Sequence, residues 1–388
     1  MIYRTNPRNG DRLSQLGFGC MRFPKDEALT EQLIMRAIDA GVNYFDTAFI
    51  YPGSEATLGR ILAKHEVRDQ VKIATKIIPA LIKKPGDLDK YFAKQCERLQ
   101  VDYIDYYLIH MITDHRIWER LVKLGILEWV EQMKSAGRIK NFGFSYHGGR
   151  EEFIRICDAS SWDFCLLQYN YLDEDSQAGR SGMEYAISKE IPVMVMEPLR
   201  GGNLATNLPA GAREIFERAS ISRTPAEWSF RWLWNQPEVT VVLSGMNGMA
   251  MLEENIATAS SATVGSLDAE DLEVIADAKQ ALMESIRVPC TGCGYCMPCP
   301  QGVDIPTCLS SLNNIEIEGR NQAFGHYMMQ VGFKSQPHLA SQCNQCGRCV
   351  PACPQGIDIP TQIQNTKKEF EKLYFKPMMS VIRWFMKL

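Results

Sequence analysis

Apolar and polar positions alternate in two different ways along the first 260 or so residues. Short runs rich in β-branched and aromatic residues are separated by longer segments in which apolar residues recur every three or four positions. The short runs predict strands and the longer segments predict helices. The predicted strands are residues 16–23, 42–48, 71–77, 103–111, 139–145, 164–172, 192–198 and 239–245.

Eight strands that alternate with helices predict parallel βα units. In about 260 residues, this number is typical of a closed (β/α)8 barrel, the TIM barrel. An open, doubly wound sheet would carry a Gly-rich dinucleotide turn after an early strand, and GFGC at 17–20 is too short to match one. The helical pattern of residues 268–286 closes or flanks the barrel. We therefore expect an α/β barrel domain over residues 1–286.

The composition changes after residue 286 to Cys, Pro and Gly. Nine of the 13 cysteines lie between Cys290 and Cys353, and residues 296–312 resemble residues 349–366. The N-terminal residues lack the apolar run of a secretory signal. An odd cysteine number at tight spacing then favours a metal centre over disulfides. Residues 287–388 are predicted to form a small, mostly helical second domain with a C-terminal tail.

Each repeat has four cysteines followed by proline. Successive cysteines lie three positions apart, except that the last two of the second repeat lie four positions apart. The second repeat has the spacing of bacterial-type ferredoxins, in which the fourth cysteine ligates the other cluster. Zinc sites also use Cys-x2-Cys pairs, but the repeated steps capped by Cys-Pro favour iron and sulfide. Cys308 is expected to lie on a helix face. The predicted ligands of two 4Fe–4S clusters are Cys290, Cys293, Cys296, Cys299, Cys343, Cys346, Cys349 and Cys353.

Four polar residues stand at the predicted carboxyl ends of consecutive barrel strands, where TIM barrels place their chemistry. Asp46 ends the second strand, Tyr51 follows it, Lys76 ends the third strand and His110 the fourth. A lysine ammonium lowers the pKa of a neighbouring phenol, and a buried carboxylate keeps that lysine charged. The histidine can orient a carbonyl oxygen, which the tyrosine can protonate. These residues predict a proton-transfer site.

In the contexts FDTAFIYPGSEATLG, IATKI and YYLIH, these four residues resemble the catalytic tetrad of the aldo-keto reductases, and the resemblance covers residues 1–260. It implies an oxidoreductase whose barrel binds NAD(P)H and reduces an aldehyde or ketone. It also implies a set of dinucleotide contacts in the segments that follow later strands. These are Ser145 and Gln168 at the nicotinamide amide, Leu199 and Gly201 at the pyrophosphate, Ser244 and Gly245 at the adenosine phosphate, and Glu254 and Asn255 at the adenine.

The chain departs from the family pattern at three places. Tyr146 and His147 follow the serine, where the family usually has Asn. Met196, followed by Glu197, replaces the aromatic residue that stacks on nicotinamide. Met251 occupies a position that is often basic or polar in NADP enzymes, so the choice between NAD and NADP stays open.

Three functions remain open at this stage. The chain is an NAD(P)H-linked carbonyl reductase whose clusters exchange electrons with a partner such as a ferredoxin, a reductase with structural clusters, or an electron carrier whose barrel is a scaffold. Hydride carries two electrons and a cluster accepts one, so direct transfer requires a flavin or a radical intermediate. We expect a cytoplasmic protein with a small-molecule substrate, without a nucleic-acid partner or a membrane span. The apolar, basic tail is expected to pack on the barrel or to touch a membrane surface.

Overall fold

The computed structural model describes residues 1–284, 287–290, 292, 294–353 and 356–386. The chain forms two compact units. The barrel unit comprises Met1–Pro198 and Ala226–Ala269, and the second unit comprises Leu199–Pro225 and Glu270–Leu388. The second unit is thus assembled from two separate stretches of chain. The expected domain boundary near residue 287 stays a prediction.

The strands of the described residues form a two-stranded hairpin and a closed, parallel eight-stranded barrel. Barrel strands follow one another in chain order, and the last strand closes the barrel by pairing with the first. This arrangement confirms the predicted fold class. The hairpin consists of β1 (Tyr3–Thr5) and β2 (Arg12–Ser14), and the barrel of β3 (Leu16–Gly19), β4 (Tyr44–Asp46), β5 (Lys72–Ile77), β6 (Ile104–Ile112), β7 (Ile139–Tyr146), β8 (Phe164–Gln168), β9 (Val193–Met196) and β10 (Val239–Ser244).

Helices connect the barrel strands and continue through the second unit. The α-helices in the described part of the chain are α1 (Glu27–Asp39), α2 (Ser54–Lys64), α3 (Asp87–Leu99), α4 (His115–Lys123), α5 (Ile126–Ser135), α6 (Arg150–Asp158), α7 (Gly179–Ser188), α8 (Asn203–Thr206), α9 (Ala210–Arg218), α10 (Pro225–Trp234), α11 (Met249–Ser261), α12 (Ala269–Glu284), α13 (Ile305–Tyr327), α14 (Ile359–Phe370) and α15 (Phe375–Met386). Short 3-10 helices cover Cys20–Arg22, Arg68–Gln70, Pro79–Leu81, Arg200–Gly202 and Ala340–Gln342, and a π-helical turn covers Met328–Gly332.

Side chains that point into the barrel alternate along each strand, as the two-residue period of a strand requires. They form one buried cluster with Leu13 of the hairpin. Gly17 leaves room for them, because a Cβ atom there would lie 2.7 Å from Leu243 and 2.8 Å from Val241. The strand members of the cluster are Tyr44, Ala74, Tyr106, Leu108, Phe164, Leu166, Met194, Val241 and Leu243.

The same alternation directs the predicted catalytic side chains inward. Asp46 lies two residues after the inward-facing Tyr44, Lys76 two after Ala74, and His110 two after Leu108. All three positions stand near the carboxyl ends of their strands. The barrel therefore collects these groups at one end of its interior.

The sequence repeat of the second unit becomes two equivalent helix starts. Asp304 caps α13 by accepting the backbone N–H of Thr307, and Asp358 caps α14 by accepting that of Thr361. In each case proline occupies the first turn, where its missing N–H costs nothing. Gly319 interrupts α13 with φ 78° and ψ 160°, a conformation that glycine adopts readily.

Adjacent asparagines of α13 bind two different segments of the second unit. The Asn313 side chain accepts the N–H of Val288 at 2.9 Å and donates to its carbonyl oxygen at 2.8 Å. The side chain of Asn314 accepts a hydrogen bond from Arg200 at 2.9 Å. One turn of helix thus joins the segment before Cys290 to the loop after β9.

Candidate active site and cluster-binding site

Lys76 and Asp46 form a buried ion pair inside the barrel. The Lys76 ammonium donates to Asp46 Oδ1 and, at 2.8 Å, to the carbonyl oxygen of Thr47. Register places Asp46 beside Ala74 and Lys76 beside Leu108, so the pair bridges neighbouring strands β4 and β5. The structure therefore brings together the two charged residues that the sequence predicted.

Tyr51 and His110 lie against this pair. The Lys76 Nζ atom is 5.2 Å from the centroid of the Tyr51 ring. The ring centroids of Tyr51 and His110 are 5.8 Å apart with their planes at 85°, an edge-to-face contact. All four predicted side chains thus occupy one site. Among the described residues, His110 Nδ1 and Asp46 Oδ2 are buried and lack a hydrogen-bond partner in the protein.

The electrostatics of the site set the protonation states. Burial alone would lower the pKa of Lys76, but Asp46 and Tyr51 raise it above its ordinary value, so the ammonium stays charged. Burial raises the pKa of the Tyr51 phenol by more than Lys76 lowers it. The net direction is opposite to the one expected from the lysine alone, because desolvation of the phenolate outweighs its attraction to the ammonium.

His110 is neutral in this environment. Burial, followed by the Lys76 charge and by His147, lowers the pKa of His110 well below its ordinary value. A neutral imidazole beside a neutral phenol offers hydrogen-bond donors without a positive charge on the ring. The site can therefore orient a carbonyl oxygen with His110 and transfer a proton to it from Tyr51.

Two further residues, Cys20 and Glu197, influence the tetrad electrostatically. Cys20, at the end of β3, is buried, and burial together with Asp46 raises the pKa of its thiol well above the ordinary value. Glu197 adds a negative charge that contributes to the raised pKa of Tyr51. Its backbone has φ 55°, and its carbonyl oxygen accepts from Asn170 at 3.1 Å. The strand-end rule that selected the tetrad also points to Cys20, which sequence reasoning passed over.

The predicted nicotinamide contacts already have partners within the protein. Ser145 Oγ accepts the N–H of Met111 at 2.9 Å, which leaves the serine hydroxyl hydrogen for another acceptor. The Gln168 side chain accepts from Gln177 at 2.6 Å and donates to Asp173 at 3.4 Å. Both residues are buried at the carboxyl ends of their strands.

The remaining predicted dinucleotide contacts fall into two places. Ser244 ends β10, Gly245 follows it, and Asn255 on α11 donates to Ser244 Oγ at 3.0 Å. Glu254 lies beside Asn255 on the same helix. Leu199 and Gly201 belong to the second unit, in the loop that Asn314 contacts through Arg200.

The cysteines of the second unit surround a cavity of about 220 Å³. Five of them line it, and three of these come from the second repeat. Crossed ligation requires a fourth ligand from the first repeat, and Cys299 lies on the cavity wall. The lining cysteines are Cys296, Cys299, Cys343, Cys346 and Cys349.

Local geometry around these thiols suits a cluster. Burial raises the pKa of Cys349, and the neighbouring thiols of Cys343, Cys299 and Cys346 raise it further. The backbone N–H of Gln345 donates to Cys343 Sγ at 3.4 Å, a contact that stabilises a thiolate. No disulfide links the cysteines in the described part of the chain.

The other predicted ligand set is described in part. Cys290, Cys296 and Cys353 pack against the core of the second unit, and Cys293 lies outside the described residues. Within the described ranges, no three His, Cys, Asp or Glu side chains converge on a single metal ion. A four-iron cluster has a different requirement, since each thiolate binds a different iron and the sulfurs need only surround a common space. Cys308 is buried on α13 in the core.

Comparison with known proteins agrees with this architecture. The model of the aldo/keto reductase family matches residues 15–278, and the model of a 4Fe-4S dicluster domain matches residues 289–358. Within the described residues, no helix is both long and apolar enough to cross a membrane.

Similar proteins cover the barrel. The chain is 25% identical to the uncharacterized oxidoreductase YrpG of Bacillus subtilis, over 71% of this chain and 95% of the relative. It is 26% identical to a 6-dehydroglucose reductase of Novosphingobium aromaticivorans, over 65% of this chain and 88% of the relative. The solved aldo-keto reductase AKR11C1 of Bacillus halodurans superimposes with a TM-score of 0.61 at 24% identity, over 72% of this chain and 96% of that chain, which shows the common fold.

The family model spans well over half of the 388 residues, and it covers the strands that carry the four converging side chains. The chain therefore belongs to the aldo/keto reductase family of oxidoreductases and carries a C-terminal 4Fe–4S dicluster domain.

Proposed function

We propose that this protein reduces the carbonyl group of an aldehyde or ketone with NAD(P)H, and that two 4Fe–4S clusters in its second unit exchange electrons with a partner protein. The observation that carries the first part is the buried Lys76–Asp46 pair with Tyr51 and His110 against it. Such a constellation has one chemical use, namely proton delivery to an oxygen that gains negative charge.

The reaction assigns each residue one task. His110, held neutral, donates a hydrogen bond to the carbonyl oxygen and fixes its position beside the Tyr51 phenol. The bound dinucleotide supplies the hydride. Tyr51 gives its proton to the oxygen, and the Lys76 ammonium stabilises the phenolate that remains. Asp46 keeps the lysine charged and oriented. A carboxylate that never leaves the pair is sufficient for this role.

Several contacts support dinucleotide binding by this chain. The hydroxyl hydrogen of Ser145 and the second amide hydrogen of Gln168 are available for the nicotinamide amide. Helix α11 begins at Met249, directly after β10, and its N-cap is Gly248, so its first backbone N–H groups are not capped by a side chain. Helix N-termini of this kind favour phosphate. We propose Ser244, Gly245, Glu254 and Asn255 for the adenosine half, and Leu199 and Gly201 for the pyrophosphate. NAD and NADP remain equal candidates.

For the clusters we propose crossed ligation. Cys343, Cys346, Cys349 and Cys299 hold one cluster, which the shared cavity supports. Cys290, Cys293, Cys296 and Cys353 hold the other. When bound, such clusters transfer single electrons. The matching family models are those of aldo/keto reductases and of 4Fe-4S dicluster domains, and neither supports a flavin.

The substrate class is a small hydroxylated carbonyl compound. The Tyr51 phenol and the His110 imidazole are hydrogen-bonding groups, and the Glu197 carboxylate is near enough to contribute to the raised pKa of Tyr51; all three kinds of group bind hydroxyls well. The name of the 6-dehydroglucose reductase among the relatives points in the same direction. We place the activity in the cytoplasm, whose reducing conditions keep cysteine thiols out of disulfides.

The test is removal of the Tyr51 hydroxyl. Tyr51→Phe should lower kcat for carbonyl reduction by about 10²–10⁴, the usual contribution of a general acid, while the dissociation constant of the dinucleotide changes little. Tyr91→Phe is the matched control, because Tyr91 is another partly buried tyrosine of the barrel unit and its ring packs edge-to-face on Phe49. Equal activity of the Tyr51→Phe and Tyr91→Phe enzymes would refute the proposed proton donor.

A further inference from the structure

Helix α15 has one face that belongs to the core of the second unit. Phe375 and Met379 are buried there, with Met378 and Ile382 partly buried beside them. The spacing of these four residues is that of one helical face. Arg383 fastens the far end, since its guanidinium donates to the carbonyl oxygens of Lys334 at 2.9 Å and Ser335 at 3.0 Å. The helix is thus fixed to the unit on one side.

Apolar residues also occupy its other side. Val381 is 66% exposed, Trp384 82% and Phe385 54%, at the i, i+3 and i+4 positions of one face. In the turn that leads into the helix, Leu373 is fully exposed and Tyr374 is 60% exposed. We call these five residues the exposed stripe. Contiguous apolar patches of this kind are uncommon on soluble surfaces and usually mark a binding surface.

The charge around the stripe is positive. Residues 372–388 contain three lysines and one arginine and no acidic residue, a net charge of +4, whereas the whole chain has a net charge of −4. Along the sequence, the positive charge is therefore concentrated in the segment that carries the stripe. Aromatic and aliphatic side chains interspersed with Lys and Arg are the chemistry of helices that lie in the headgroup region of anionic membranes.

We propose that the exposed stripe and its cations dock the second unit onto an anionic lipid surface, with α15 lying parallel to the membrane. A stable protein partner requires about 800 Å² of complementary surface on each side. The stripe is a convex ridge of five side chains on a helix about 18 Å long. A lipid surface needs no matching shape, since Trp384, Phe385 and Leu373 can enter between headgroups while the cations stay with the phosphates.

The experiment is flotation of the intact, anaerobically purified protein with vesicles. Binding to vesicles of phosphatidylcholine and phosphatidylglycerol should exceed binding to phosphatidylcholine alone by at least about tenfold, and it should fall as salt is added, because counterions screen the cations. Val381→Glu and Trp384→Glu should abolish it. Both residues are exposed, so folding is preserved, and unchanged iron content and carbonyl reduction verify this.

The matched control is Val264→Glu, which places the same charge on an exposed valine of the barrel unit, 50% exposed. This variant should bind vesicles as the unmodified protein does. Absence of vesicle binding at low salt would overturn the proposal. Equal losses of vesicle binding in the Val264→Glu and Val381→Glu variants would overturn it too. The same holds if the stripe binds an acidic electron-carrier protein and no vesicle.

Discussion

Replacing Lys76 by methionine tests the charge balance at the centre of the site. Methionine has an unbranched side chain of similar length and can occupy the same space without the ammonium group. The Asp46 carboxylate then stays buried without its counter-charge, and its Oδ2 atom already lacks a hydrogen-bond partner among the described residues. We expect Lys76→Met to lose both activity and stability.

The size of the stability loss follows from burial. Breaking a buried ion pair by removing one partner costs about 3–5 kcal/mol. In a unit the size of the barrel, 1 kcal/mol corresponds to roughly 2–4 °C in Tm, so the barrel transition should fall by about 6–20 °C. The double variant Asp46→Asn, Lys76→Met removes both charges, and it should recover a large part of that loss while remaining inactive.

The assay is differential scanning calorimetry of the cluster-loaded protein under anaerobic conditions, at pH values from 8 to 5. Burial raises the pKa of the Asp46 carboxyl because a buried site favours the neutral form. The deficit of Lys76→Met should therefore shrink as the pH falls and the carboxyl takes up a proton. A double variant as unstable as the single variant, or a deficit that does not depend on pH, would refute the assignment of the loss to an unpaired charge.

Three further outcomes are expected. The protein should contain about eight iron and eight sulfide per chain. The Cys299→Ala variant should lose about half of this iron and the Cys308→Ala variant none. Zinc in place of iron would contradict the cluster proposal. The rate of carbonyl reduction should change little between about pH 7 and 9, because the pKa of His110 is lowered and that of Tyr51 is raised. An inflection in kcat/KM near pH 6.5 or 8 would contradict this expectation. In anaerobic stopped-flow, cluster absorbance should respond slowly to NADH or NADPH alone and faster with substrate; clusters that never change during turnover would be structural.

The sequence predicted the barrel because its strands carry a strong pattern, and the eight predicted strands all overlap observed ones. Several predictions run too far at the carboxyl end: residues 16–23 form a strand only over Leu16–Gly19, and residues 164–172 only over Phe164–Gln168. The residues that follow still include Cys20 and Phe23 after β3 and Tyr169 and Tyr171 after β8, so composition alone does not reveal where hydrogen bonding ends. The hairpin of β1 and β2 was not predicted, since strands of three residues carry too little pattern.

The convergence of Asp46, Lys76 and His110 was predictable because parallel strand ends meet at one end of a barrel. The direction of the pKa shift of Tyr51 was not predictable, because it depends on whether burial raises this pKa by more than the Lys76 charge lowers it. The contact between Asn314 and Arg200 joins positions 114 residues apart, and no local pattern announces it.

The assembly of the second unit from two separate stretches of chain has a consequence for how such proteins are inherited. Arg200 and Asn203 come from the loop after β9, and their side chains bond to Asn314 and Gln322 of α13. A recombination event that exchanged only residues 287–388 between two relatives would replace both acceptors and leave both donors in place. Each mismatch costs about 1–3 kcal/mol when a buried polar group loses its partner. The segment Leu199–Pro225 and the cysteine-rich region should therefore pass from ancestor to descendant as one module, although the barrel residues Ala226–Ala269 lie between them in the sequence.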